Sequence, residues 1–309
     1  MKKPRMRHAF TILLAGAVLC FSGGRVSGKC EGTPYTVNEW NYVDASMDTG
    51  SGIPENASGA LARIRERGVL RVATEPYYPP QEFIDPGFDG QDKYQGADMQ
   101  LARLIAERMG VELLISEMEF TDVLPAVSND ECDLAISALS FTPGRASSYT
   151  MSKGYYFTDI PKAVIIIRAA DAAEITSVED LAGKTLAAQQ GSLQEAMMAA
   201  NVYVYKEFRR MSQVQDVYSA VADGNADAGA ADAEAAIEYL ENNPQAGLMI
   251  LPGVEFYLQR EYLGDRIAAR NGEFELIAFV NGVIDEVLAN QLYDEWITEA
   301  RERVRELGL

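Results

Sequence analysis

Residues 137–158 read SALSFTPGRASSYTMSKGYYFT. They complete an apolar run, DLAISAL (133–139), which predicts a strand, and then turn to hydroxyls, a Pro-Gly pair and aromatics. Arg145 stands among Ser137, Ser140, Thr142, Ser147 and Ser148. An arginine ringed by hydroxyl donors suits an anion, because its planar fork matches a carboxylate with two parallel bonds. The same composition also makes an ordinary polar loop, so the rest of the chain decides.

Outward from this stretch, strands and helices alternate. ALARIRERG predicts a short helix closed by Gly68, where order is expected to begin, and VLRVAT a strand. DMQLARLIAERMG sets Met99, Leu101, Leu104, Ile105 and Met109 on one helical side and stops at Gly110. VELLISEM predicts a strand, and TDVLPAVSND a helix capped by Thr121 or Asp122. After KAVIIIR (162–168), a long strand, the pattern restarts: helix SVEDLAG, strand KTLAAQQ, helix GSLQEAMMAA, strand VYVYKEF, helix SQVQDVYSAVADG, strand ADAGAA, helix DAEAAIEYLENN, strand GLMILP. A long helix interrupted by a turn ends the chain. Such alternation predicts an α/β protein of mostly parallel sheets covered by helices, here in two halves with the restart near residue 160.

Ligands in such sheets sit beyond the carboxyl ends of strands. Glu75, Tyr77 and Tyr78 follow the first strand, Ser140 and Arg145 follow DLAISAL, Gly191 and Ser192 follow KTLAAQQ, and Asp232 follows ADAGAA. Each alone has a plain reading: a rigid Tyr-Pro turn, a solvated cation, a helix cap. Together they offer an aromatic wall, a cation, a helix N-terminus and a carboxylate. An arginine and a helix start favour a carboxylate, and Asp232 an ammonium. An α-amino acid carries both.

The stretch 137–158 also resembles the signature of the family 3 extracellular solute-binding proteins, which serve amino-acid ABC transporters. Its Ser-x-x-Ser-x-Thr-x-x-Arg spacing carries the likeness, together with YQGADM (94–99), QQGSLQE, DGNADAGAADAEAAIEYL and YDEWI, over roughly residues 60–300. The resemblance implies a two-lobed periplasmic-binding-protein-like fold, each lobe a mostly parallel sheet flanked by helices, joined by two crossing strands and closing on a ligand. The segments expected are lobe 1 at 59–160 and 259–309, and lobe 2 at 161–258. Arg145 and Ser140, with the amides of Ser192 and Leu193, would take a carboxylate. Asp232 and the carbonyl near Ala138 would take the amine, and Tyr78 with Tyr77 would stack on the ligand. Ala138 and Leu193 depart from relatives that carry hydroxyls there. The implied role is non-enzymatic capture of an amino acid for a membrane permease, by a monomer without cofactor. A cyclohexadienyl-dehydratase-like enzyme, or a receptor, would use the same cleft. Glu75 hints at a basic or amide ligand side chain.

The chain of 309 residues is 48% hydrophobic and 24% charged, room for two cores. Its start, MKKPRMRH followed by AFTILLAGAVLCFS, predicts a secretory signal peptide over 1–28, too short in its apolar run to span a membrane, and 29–58 reads as a tail without period. Loss of Lys2, Lys3, Arg5, Arg7 and Arg25 leaves 22 basic against 46 acidic residues. That surface repels phosphate backbones, so no nucleic-acid partner is expected. His8, the one histidine, leaves with the signal, which excludes histidine-based nucleophilic triads and histidine-ligated zinc from the mature chain. Cys30 and Cys132 remain, a candidate disulfide in an oxidising exterior.

Overall fold

The computed structural model describes residues 43–158, 162–258 and 262–309. Helix α1 (Gly59–Arg67) leads through Gly68 into strand β1 (Val69–Thr74). A small antiparallel sheet follows, of β2 (Tyr77–Tyr78), β3 (Glu82–Ile84) and β4 (Tyr94–Gln95). Next come α2 (Ala97–Met109), β5 (Glu112–Glu117), α3 (Phe120–Ser128), β6 (Leu134–Ala135), α4 (Pro143–Ser148) and β7 (Tyr149–Tyr156). The second half holds β8 (Ala163–Arg168), β9 (Thr185–Gln189), α5 (Leu193–Asn201), β10 (Glu207–Met211), α6 (Val214–Ala222), β11 (Ala228–Ala231), α7 (Ala233–Asn242) and β12 (Leu248–Phe256). Strand β13 (Asp265–Arg270), α8 (Phe274–Asn290) and α9 (Leu292–Leu307) close the chain.

The strands form two five-stranded sheets, β5-β1-β6-β13-β7 and β10-β9-β11-β8-β12. In the first, β1 runs parallel to β5 and β6, and β13 lies antiparallel to β6 and β7. In the second, β9 runs parallel to β10 and β11, and β8 lies antiparallel to β11 and β12. The chain leaves the first sheet after β7 and returns for β13. The middles of both passages, 159–161 and 259–261, lie outside the described residues, as does the expected signal segment 1–28.

Packing explains the elements. The apolar side of α2 buries Met99, Leu101, Ile105 and Met109, with Leu104 half-buried beside them. Ile165 and Ile167 of β8 face a core with Leu186 and Met198, while Val164 and Ile166 face Tyr218 on the other side. A strand buried on both faces reads as the unbroken apolar run that KAVIIIR is.

Several expectations need correction. Strand β6 is regular only over Leu134–Ala135; the left-handed conformation of Ala138 (φ 44°) interrupts it, although Ile136 still donates to the Ala73 carbonyl and the Leu139 carbonyl accepts from Arg266. Neither β7 nor β13 was expected as a strand; they form an antiparallel pair, which no strand–helix alternation announces. SVEDLAG yields one 3-10 turn, Glu179–Leu181. The VYVYKEF strand begins later, at Glu207, and Tyr203 is 83% exposed. Helix α3 starts at Phe120 after Glu119 without a side-chain cap, so neither Thr121 nor Asp122 caps it.

Order also begins before residue 60. Val43 is fully buried, and the backbone N–H of Met47 donates to the carbonyl of Ala278 in α8. The buried Asn281 amide donates to the carbonyls of Val43 and Ala45 and accepts from the N–H of Lys153. Gly282 permits this approach: a Cβ there would stand 2.1 Å from the Met47 carbonyl oxygen. Residues 43–58 are thus a strap over α8, held by backbone bonds and by Val43, Ala45, Met47, Ile53 and Ala57 against the first half's core, a spacing that makes no regular hydrophobic period. Cys132 is buried as a free thiol beside Val123 and Ala126; Cys30 lies outside the described residues.

Candidate ligand-binding cavity

A cavity of about 390 Å³, counted out to its mouth, opens between the two sheets' carboxyl-terminal loops. From the first half it is lined by Glu75, Tyr78, Glu82, Phe120, Ser137, Ala138, Ser140 and Arg145. From the second half come Lys162, Gln189, Ser192, Leu193 and Gln194.

Arg145 sits on α4, whose first turn is fixed by Thr142: its hydroxyl accepts the N–H of Arg145 at 3.1 Å. The guanidinium lies over the Phe120 ring at 5.7 Å. It donates to the carbonyl of Ser140 at 2.8 Å and, across the cavity, to that of Gly191 at 3.2 Å. No carboxylate of the described residues pairs with it. Burial lowers its pKa to about 10, with Asp265 opposing, so it stays cationic at neutral pH.

The opposite chemistry gathers at the ends of β1 and β3. The hairpin carrying Tyr78 and Glu82 packs against Gly96 (φ 113°), where a Cβ would meet the Gln81 carbonyl oxygen at 2.2 Å. Glu75 and Glu82 are each 1% exposed. The Ser137 hydroxyl joins them, accepting the N–H of Glu75 and donating to Glu82 at 2.9 Å. Glu75 Oε1 and Glu82 Oε2 find no hydrogen-bond partner among the described residues. Burial pushes Glu75 up to about 8, against the Gln189 amide and with help from Glu119 and Asp216. Burial, then the charge of Asp98, raises Glu82 well above its ordinary value. Glu75 is a neutral acid at pH 7 when the cavity is empty.

Behind them, the buried Asp98 accepts from the N–H of Ala138 at 2.8 Å and from the hydroxyls of Tyr155 and Tyr293. It holds Ala138 in its left-handed turn and aims the 137–140 segment at the cavity.

Other expected site residues stand differently. Tyr78 lines the cavity and packs on the cluster of Val164, Ile166 and Tyr218 in the second half. Tyr77 does not line it; its hydroxyl donates to Glu117 at 2.6 Å. The Ser192 hydroxyl accepts from the N–H of Glu195, and the Ser192 N–H turns back to Gln189. Gly191 lies outside the lining, its N–H bonded to Glu195 and its carbonyl to Arg145. Asp232 also stands outside the lining. Its Oδ1 caps α7, accepting from the N–H groups of Glu234 and Ala235. Its Oδ2 faces the Lys162 ammonium at 3.4 Å and the Gln194 amide at 3.5 Å. Lys162 also meets Asp265 at 3.2 Å.

Sequence reasoning missed Glu82, Phe120, Lys162, Gln189 and Gln194. Phe120 and Gln189 sit at element ends, where an inventory of strand ends and helix starts could have found them.

The sequence profile of the bacterial extracellular solute-binding proteins, family 3, matches residues 70–299. A probable histidine-binding protein of Campylobacter jejuni is 26% identical over 231 residues, 74% of this chain and 83% of the relative. The arginine-binding extracellular protein ArtP of Bacillus subtilis is 26% identical over 235 residues, 74% of this chain and 86% of its own. Among solved structures, the substrate-binding protein AbpA of Streptococcus pneumoniae, bound to L-arginine, superposes with a TM-score of 0.67 at 29% identity, covering 78% of this chain and 98% of its own. AncCDT-1, an ancestral amino-acid-binding protein and precursor of cyclohexadienyl dehydratase, gives 0.67 at 25% identity over 78% and 99%. With a two-sheet fold, a cavity between the sheets and a profile match over most of its length, the chain belongs to the family 3 bacterial extracellular solute-binding proteins.

Proposed function

We propose that the protein captures an amino acid or a similar small zwitterion outside the cytoplasm and presents it to the permease of an ABC transporter, without chemical change. The cationic, apolar start of the chain fits export to the periplasm with cleavage near Gly28. The observation that carries the reading is Arg145, a partly buried guanidinium between the lobes with no acidic partner among the described residues. A charge withdrawn from water without a counter-ion is costly, and a ligand carboxylate supplies the missing one. Ser140 and the start of α5 border the same place. At the other end, the open oxygens of Glu75 and Glu82 suit a cationic group, which draws Glu75 into the ionised state.

A thermal-shift screen of the purified protein against the twenty amino acids tests the reading, followed by calorimetry on the hits. Stabilisation by a basic amino acid that disappears in Arg145→Ala is expected. No shift with any amino acid at millimolar concentration would refute it.

One observation favours a second reading. Glu75, protonated at neutral pH, has the character of a general acid, and AncCDT-1 is described as the precursor of a dehydratase. Release of an aromatic product from a cyclohexadienyl carboxylate, followed by absorbance, would support that enzyme; a flat trace supports capture alone.

A further inference from the structure

We propose that Lys162 is a resident cation occupying the ammonium seat at Asp232, so that this protein reads a ligand's carboxylate and a distant cation but not an α-ammonium. The inference rests on the capture reading above and names the ligand class.

Asp232 has no oxygen to spare. Two backbone N–H groups of α7 take Oδ1, and Lys162 and Gln194 take Oδ2. Lys162 is held at its root as well: its N–H donates to the Phe256 carbonyl, and its own carbonyl accepts from the Gln194 amide at 3.4 Å. Its ammonium lies between one carboxylate from each half of the chain, Asp232 at 3.4 Å and Asp265 at 3.2 Å, both nearly buried. Burial works against that charge, but Asp265 and Asp232 more than offset it and leave the lysine above its ordinary range. A ligand ammonium could reach Asp232 only by driving off this cation or by standing beside it, and two cations in contact in a partly buried site repel.

The cavity nevertheless keeps unanswered acid elsewhere. Glu75 Oε1 and Glu82 Oε2 lack partners, and both residues line the wall. A ligand with a carboxylate for Arg145 and a cation for this pair satisfies every open group without an α-ammonium. The class is the ω-amino and guanidino carboxylic acids, with basic α-amino acids bound through the same two ends.

Calorimetry on the unmodified protein with three probes tests this: L-arginine, 5-guanidinopentanoate, which lacks only the α-ammonium, and L-norvaline, which lacks only the guanidinium. L-arginine and 5-guanidinopentanoate are expected within tenfold of each other, and L-norvaline more than tenfold weaker than L-arginine. A preference for L-arginine over 5-guanidinopentanoate beyond tenfold, or L-norvaline binding within tenfold of L-arginine, overturns the inference and leaves the capture reading standing. Three blanks overturn it too; blanks across all twenty amino acids remove the capture reading with it. In Lys162→Met, Asp232 is released, and the preference for L-arginine over 5-guanidinopentanoate should rise above tenfold. An unchanged ratio in a folded variant counts against Lys162.

Discussion

Arg145 and Gly191 meet across the cavity: the guanidinium of the first half donates to the carbonyl of the second at 3.2 Å. This contact joins the halves at the place where a ligand carboxylate would bind, so ligand affinity and closure should both depend on this one side chain. A charge-assisted hydrogen bond contributes about 1.5–3 kcal/mol, roughly tenfold to a hundredfold in affinity. Arg145→Ala should weaken ligand binding by at least that much. It should not lower the melting temperature of the unliganded protein, because the charge removed is partly buried without a counter-ion among the described residues. Calorimetry beside thermal melting checks both halves of the statement.

Glu75 ties affinity to pH. Empty, it holds its proton up to about pH 8, whereas a bound cation favours the carboxylate. Uptake of a cationic ligand therefore releases a proton, and affinity should rise from pH 6 to pH 8 and then flatten. The stability of the unliganded protein should show the opposite slope. A carboxyl raised above its unfolded value contributes most to stability below about pH 4.5 and loses that contribution as pH climbs towards 8. Glu75→Gln should flatten both profiles, raise the unliganded melting temperature at pH 7.5 by a few degrees, and weaken cationic ligands. Titrations in two buffers of different ionisation enthalpy count the proton; no proton release would refute the account.

Asp98 should behave as a structural residue whose loss disturbs the site. It accepts from Ala138, at the cavity wall, and from the buried Tyr155 and Tyr293 of the first half. Asp98→Ala leaves those donors unpaired, at about 1–3 kcal/mol for each that finds no new partner. Urea unfolding should show a loss of at least about 2 kcal/mol, with weaker ligand binding because the 137–140 segment loses its anchor. A variant as stable as the parent would contradict this.

Sequence alone located part of this site for a physical reason. Arg145 and Ser140 follow a strand and sit in one local segment, so composition reveals them. Asp98 stood inside a recognisable motif, YQGADM, but its three donors come from distant segments and give no local sign. Glu82 and Lys162 were hidden because their place depends on how remote pieces fold: a hairpin bending back over β1, and a passage that sets one lysine between Asp232 and Asp265. Asp232 was read as the partner of a ligand ammonium, with a helix cap as its plain alternative; it caps α7, and Lys162 faces its second oxygen. The same logic governs the fold. Helix α2 and β8 announce themselves by apolar period, whereas β7 and β13 are defined by pairing with each other, and the 43–58 strap by irregularly spaced contacts to α8 and the core beneath it.

That strap gives a separate test. A Cβ at residue 282 would overlap the Met47 carbonyl, so Gly282→Ala should detach residues 43–58 from α8. Proteolysis within the strap should accelerate and the melting temperature should fall, while ligand affinity stays within about threefold, because the strap lies away from the cavity.

A latch on the rim should set how far the cleft stays closed. Arg301 on α9, in the first half, pairs with Glu234 on α7 in the second, and reaches Glu238 at 3.6 Å. The Tyr156 hydroxyl donates to the same Glu234 oxygen at 2.5 Å. All these side chains are partly buried and none lines the ligand cavity. Exposed ion pairs contribute about 0–1 kcal/mol, and this one adds a tyrosine bond and partial burial. Glu234→Gln should therefore shift the unliganded population towards an open form by a few-fold, and ligand affinity should drop by a similar factor through the lost closed fraction. The contacts around the ligand are unchanged, so relative preference among ligands should stay the same. Small-angle scattering of the unliganded variant should show a larger radius of gyration than the parent, converging when ligand saturates both. Equal radii without ligand, or an altered ligand preference, would show that the Arg301–Glu234 pair does not govern closure.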